Sequence, residues 1–290
     1  MEAWVDFNLD QVNSIFGTLL DQEFSLPEYP PVLPMQLTIR NERSFESVVL
    51  GYNCIIVNSA LKAACEHLKL KQVAWVSGSY VDPSSVRNFP DWAGICNEST
   101  RKSILPGDSK FTADKFNWSA TVHNYELADG TTSDGPVTGE TSSITEKSLM
   151  QVNHYAKIHK SRYCYLISPK EALFVRRRKD EDIPASESLA NNRPSRLNPI
   201  AMPSQSQRSD SEPKSSSPAT SDYSFTDNSA PDTNMQYLEL CAVPWGIPVA
   251  GEISLNLALW ATHMISAVEN DVKSSYPIMS DDPALRIFSA

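Results

Sequence analysis

An α/β fold built around a mixed sheet is what the sequence predicts, and three observations predict it. Stretches with apolar residues every three or four positions alternate with short β-branched and aromatic stretches of period two. The order runs helix, three strands, helix, two strands, then a strand and a helix after a long polar interruption. At 290 residues and 41% hydrophobic content the chain can bury a substantial core, as one large or two small domains.

Residues 1–40 are mixed, and Pro27, Pro30, Pro31 and Pro34 end any regular element there, so they read as an N-terminal extension. Asn41–Leu68 is predicted helical, with Val48, Val49, Tyr52, Ile55, Ile56, Ala60 and Ala63 forming its apolar stripe. Gln72–Tyr80 follows as a strand, with Val73, Trp75 and Ser77 on one face. Arg87–Cys96 and Ser103–Lys110 are strands around the polar turn 97–102. A Gly/Thr/Ser-rich loop fills 128–143. The next helix spans Ser143–Lys160, with Ser143 and Glu146 at capping-box spacing and Lys157, His159 and Lys160 at its C-terminal end. Strands at Arg162–Ser168 and Glu171–Arg176 are joined by the turn Pro169-Lys170. Residues 179–234 change abruptly to Ser, Pro, Asn, Asp and Arg, a composition that cannot offset the entropy of ordering and predicts a disordered insertion. A strand at Met235–Val243 and a helix at Leu255–Val268 are too little to fold alone, so 235–290 is expected to complete the domain begun at 41–178.

Composition narrows the function. A net charge of −10, from 25 Lys and Arg against 35 Asp and Glu, excludes a broadly basic nucleic-acid coat but not a local positive groove. The five cysteines have no C-x-x-C pair and read as free thiols, which argues against a zinc site. No secretory signal is visible at the N-terminus, and Ile253–Val268, broken by Asn256 and His263, is too short to span a bilayer. The expectation is a soluble, intracellular protein without a membrane partner. Arg176-Arg177-Arg178-Lys179 reads as a solvated strand end, with nuclear import or phosphate contact as the alternative. Ser204–Ser217 is a phosphorylation target or a bare linker, and the insertion around it is where a protein partner would bind.

The chemistry gathers elsewhere. Asp91 stands at the end of one predicted strand and Asp108 near the end of another, with Lys110 on the same strand face as Asp108, and Asp91 lies beside that pair if the two strands form a hairpin. Two carboxylates and an ammonium at neighbouring strand ends suit a hard cation acting on a phosphodiester, with the Ser109 carbonyl as a further oxygen ligand. Gly107 permits close backbone approach. Trp92 and Trp118 read as core packing, with base stacking as the alternative.

Pro90-Asp91 followed by Asp108-Ser109-Lys110 resembles the PD-(D/E)xK, or restriction-endonuclease-like, nuclease superfamily, with Asp for the more frequent Glu. Gln151-Val152-Asn153-His154-Tyr155 resembles the Q-x-x-x-Y motif of its RecB-type and lambda-exonuclease-like branch. The segment from Pro90 to Gly94, followed by Gly107-Asp108-Ser109-Lys110, is also similar to fungal members and implies no particular substrate. The resemblance implies an αβββαβ core over 41–176 and a Mg²⁺- or Mn²⁺-dependent nuclease acting on nucleic acid, DNA first. It further implies metal ligation by Asp91 and Asp108, a catalytic Lys110, substrate positioning by Gln151 and Tyr155, and a first-helix glutamate, Glu46 before Glu42. The alternative is a catalytically inactive module of the same fold that binds protein or nucleic acid.

Overall fold

The computed structural model describes residues 1–24, 38–81, 89–96, 103–111, 118–119, 122, 139–179, 238–246 and 248–289, without the side chains of 139–145. The predicted turn 97–102, most of the 128–143 loop and all but Lys179 of the predicted insertion, Ser204–Ser217 included, lie outside the described residues.

Seven strands form one mixed sheet in the order β1-β7-β6-β5-β4-β3-β2. They are β1 (Glu2–Ala3), β2 (Val73–Ser77), β3 (Trp92–Cys96), β4 (Leu105–Ser109), β5 (Tyr163–Ile167), β6 (Glu171–Arg177) and β7 (Leu238–Pro244). β2, β3 and β4 run antiparallel, as do β5, β6 and β7. The parallel pairs are β4 with β5 and β1 with β7. A parallel neighbour needs a crossover, and helix α4 (Gly139–His159) provides it between β4 and β5. The protein is therefore α/β, as the alternation of periods predicts.

Both sheet faces are covered, which is why β5 reads Tyr-Cys-Tyr-Leu-Ile with every residue buried. Trp75, Trp92, Leu105, Tyr165, Ile167 and Phe174 belong to the larger core cluster, with α3 (Cys54–His67) and α5 (Leu255–Val268). Cys164, Leu166, Leu173 and Val175 pack with Leu149, Val152 and Ala156 of α4 in the second. All five cysteines are free thiols, and burial pushes Cys54 and Cys164 up to about 12.

Several expectations need correction. The N-terminal residues are not an appendage. Asn8 caps α1 (Leu9–Leu20) by accepting the Gln11 amide at 3.0 Å, and Val12, Ile15, Phe16 and Leu19 enter the core. Phe16 lies 4.9 Å from Trp260 and 4.6 Å from Phe288, centroid to centroid. Helix α4 begins at Gly139, so Ser143 lies inside it and is not its cap. In the basic run 176–179 the three arginines are held by the fold, and Lys179 is the exposed member. Arg176 is buried between Glu239 and Asp6, the latter at 3.0 Å, Arg177 donates to the Ser161 carbonyl, and Arg178 pairs with Glu2. Spent on the fold, these guanidiniums do not support the nuclear-import or phosphate-contact alternative.

The helical stretch Glu42–His67, rather than 253–268, is long and apolar enough to cross a membrane, with a mean hydropathy of 1.5 in its most apolar window. In the structure its buried side chains pack on β2 and α5.

Candidate active site

The site stands where β3 begins and β4 ends. Trp92 pairs with Gly107, so the next cross-strand neighbours are Asp91 and Asp108. Asp91 Oδ2 accepts the main-chain N–H of Ser109 at 2.7 Å, while the Trp92 indole N–H donates to the Ser109 hydroxyl at 2.7 Å. Ser109 thus enters through its amide and hydroxyl as a brace, a role its sequence context does not announce. The Asp91 carbonyl accepts the Gly78 N–H at 2.8 Å. A Cβ on Gly78 would stand 1.6 Å from the Pro90 oxygen, so this close approach requires glycine.

Period two puts Asp108 and Lys110 on the α4 side, where they form an ion pair. The Lys110 ammonium also donates to Gln151 Oε1 at 3.3 Å, and the Gln151 amide donates to the buried Tyr155 hydroxyl at 2.9 Å. The four-residue spacing of Gln151 and Tyr155 stacks them on one face of α4. A continuous polar chain therefore runs Asp108–Lys110–Gln151–Tyr155. The sequence-predicted residues from β3, β4 and α4 come together.

Burial, then the adjacent Asp91 charge, pushes the Asp108 carboxyl well above its ordinary range, with Lys110 opposing. Burial works against the Lys110 charge, but Asp108, then Asp91 and Glu42, hold its ammonium above the usual lysine value. From the other side comes α2 (Glu42–Val48). Glu46, half buried and beside Asp91 and Glu42, is pushed up to about 7. Glu42 is raised too, by desolvation first and then by Asp91, against Lys110. Both first-helix glutamates thus feel the Asp91 carboxylate, and Glu42 also acts on Lys110. The resemblance implied one first-helix glutamate, Glu46 before Glu42, and the structure brings both towards Asp91. Trp92 and Trp118 are fully buried and belong to the core.

The donors suit a hard divalent ion. Two carboxylates lie side by side, one of them buried, with neutralisation by a single ammonium, and every available ligand atom is oxygen. Among the described residues no three His, Cys, Asp or Glu side chains converge as a ready ligand cluster. Magnesium needs only one or two carboxylates plus water, so the set fits Mg²⁺ or Mn²⁺ while leaving most of the coordination shell to solvent and substrate.

The fold and site define an α/β protein with a carboxylate–lysine centre at the end of its sheet. No family model, no curated protein and no solved structure matches the chain.

Proposed function

We propose that the protein is a metal-dependent nuclease of the PD-(D/E)xK type, hydrolysing phosphodiester bonds in nucleic acid, DNA first. The observation that carries this is the joining of Asp91, Asp108, Lys110 and the Gln151/Tyr155 pair, from three separate elements, into one polar chain. The reading is supported as well by the order of described elements from Glu42 to Ile167, helices, three strands, helix, strand, with β4 and β5 parallel across α4.

Asp91 and Asp108 would hold the divalent ion, with the Ser109 carbonyl and Glu46 as further oxygen donors. Such an ion supplies Lewis acidity and a water ionisable near neutral pH. The protein's own part is placement. The Ser109 amide fixes Asp91, and the Trp92 indole fixes Ser109. Gln151, itself held by Tyr155, keeps the Lys110 ammonium beside Asp108, where it can stabilise charge that develops on a bound phosphate.

A second reading, a catalytically inactive binding module of the same fold, is favoured by one observation: Lys110 already occupies the flank of Asp108. Cleavage assays on single- and double-stranded DNA and RNA with Mg²⁺ or Mn²⁺ separate the two. The nuclease reading expects cleavage that chelation abolishes and that Lys110→Ala lowers by roughly 10²-fold or more, the scale for losing one preorganised charge-stabilising group. Equal rates for wild type and Lys110→Ala would put the module first.

A further inference from the structure

The sheet end that carries Asp91, Asp108 and Lys110 also carries two exposed aromatic side chains. Tyr80 is 72% exposed and Phe89 36% exposed. Tyr80 closes the 3₁₀ turn Gly78–Tyr80 that continues β2, and Phe89 leads through buried Pro90 into Asp91. The two segments are tied together at the site itself, because the Gly78 N–H donates to the Asp91 carbonyl at 2.8 Å. Tyr80 is two residues from one end of that bond and Phe89 two residues from the other. Each has an anchor beside it. Val81, buried, donates its N–H back to the Gly78 carbonyl at 3.0 Å, and Pro90 is wedged against Gly78. An isolated exposed aromatic needs no explanation. Two on segments hydrogen-bonded to each other through Gly78 and Asp91, beside a phosphodiester-type site, offer apolar ring faces at that site.

Electrostatics says which partner fits. The chain carries −10 net charge, and the Asp91 carboxylate here acts on Glu42, Glu46 and Asp108 alike. A duplex presents about one phosphate charge per 1.7 Å of axis with its bases stacked inside, so this acidic neighbourhood opposes it. A single strand has a lower charge density and offers base faces, which aromatic rings take up irrespective of sequence.

We propose that Tyr80 and Phe89 form a stacking platform for unpaired bases next to the Asp91–Asp108–Lys110 centre, making a single polynucleotide strand, DNA or RNA, the substrate class of that centre. This rests on the phosphodiesterase reading for its meaning, and its test does not.

The experiment is fluorescence anisotropy of the full chain with labelled 12-nucleotide probes in Ca²⁺. The probes are single-stranded DNA, single-stranded RNA of the same sequence, the DNA duplex and an abasic DNA strand. The expected result is tighter binding of at least one single strand than of the duplex, and loss of about tenfold or more on removing the bases. The double variant Tyr80→Ala/Phe89→Ala should lose about the same, on the scale of alanine substitution at base-stacking aromatics. Tyr80→Trp/Phe89→Trp should restore binding, which a fold defect would not allow. Equal affinity of the wild type and the alanine variant, a preference for duplex, or no strand binding at all would overturn the platform. Strand binding of the expected pattern without cleavage in Mn²⁺ would instead overturn the hydrolytic reading and leave the platform standing.

Discussion

His263 lies in the middle of α5 with no exposed surface, its Nδ1 2.7 Å from the Leu259 carbonyl and its ring against Trp75 and Gly94. Among the described residues its Nε2 has no hydrogen-bond partner. Burial lowers its pKa from 6.5 to about 4. An unfolded chain accepts the proton near 6.5 and the folded one only near 4, so stability falls as pH drops through that window. The loss from this one group is about 2 kcal/mol between pH 7 and pH 5. Urea unfolding at the two pH values should show that extra acid sensitivity in the wild type and its removal in His263→Leu; equal differences for both would rule the group out as its source. Glu46 works in the opposite direction. Its folded value near 7 lies above the unfolded one, so its contribution is present at low pH and is lost as pH rises through neutrality. The shared face of Asp108 and Lys110 was legible because strand alternation dictates it, and Asp91 joined them through the expected hairpin. His263 was not, since nothing local distinguishes a buried histidine from a half-exposed one.

At the scale of elements, the helix over Glu42–His67 shows why a correct helix can carry a wrong face. Its π-helical turn, Val49–Asn53, adds one residue to a turn. The apolar stripe expected through Tyr52, Ile55, Ile56, Ala60 and Ala63 is therefore displaced by one position, and Asn53, Cys54, Val57, Leu61, Ala64 and Cys65 are buried instead. The Asn53 amide, donating to the Asn256 side chain on α5 at 2.7 Å, pins the turn. Such a slip depends on a partner helix 200 residues away and has no local signal. By contrast α1 was legible in principle, from Asn8 and the spacing of Val12, Ile15, Phe16 and Leu19, but the prolines that follow drew attention to its end. β4 gives a direct test of how tightly the site is built. A Cβ on Gly107 would stand 2.1 Å from the Tyr165 ring, which is fully buried in the next strand and has nowhere to go. Gly107→Ala should cost about 3 kcal/mol or more, at the upper end of overpacking penalties, and should lower the thermal midpoint. An unchanged midpoint would mean that β4 and β5 are looser than this pairing allows.

For the whole molecule, the sheet joins parts that are distant in sequence. β6 and β7 are antiparallel neighbours, with Arg177 paired to Leu238, although some sixty residues separate them. The two chain ends that flank the intervening segment are already at hairpin distance. Replacing 182–233 with a short Gly/Asn turn should therefore preserve a single cooperative thermal transition. A broadened or lost transition would show that the segment supports the domain. The ion pairs of Arg176 with Glu239 and Asp6, and of Arg178 with Glu2, tie the N-terminus to β6 and β7. From sequence, the same arginines read as a surface cluster because their partners come from three separate regions of the chain. The order of elements was readable as a pattern of periods, whereas sheet order and the burial of charged side chains required the tertiary fold.

On the proposed function, Asp91 and Asp108 are paired at the sheet end to hold a divalent cation. Isothermal titration of the full chain with Mn²⁺ tests it most directly. The wild type should give weak, saturable heats at one site, and an Asp91→Asn/Asp108→Asn variant that keeps its thermal transition should lose them. Identical heats for the two proteins would contradict it.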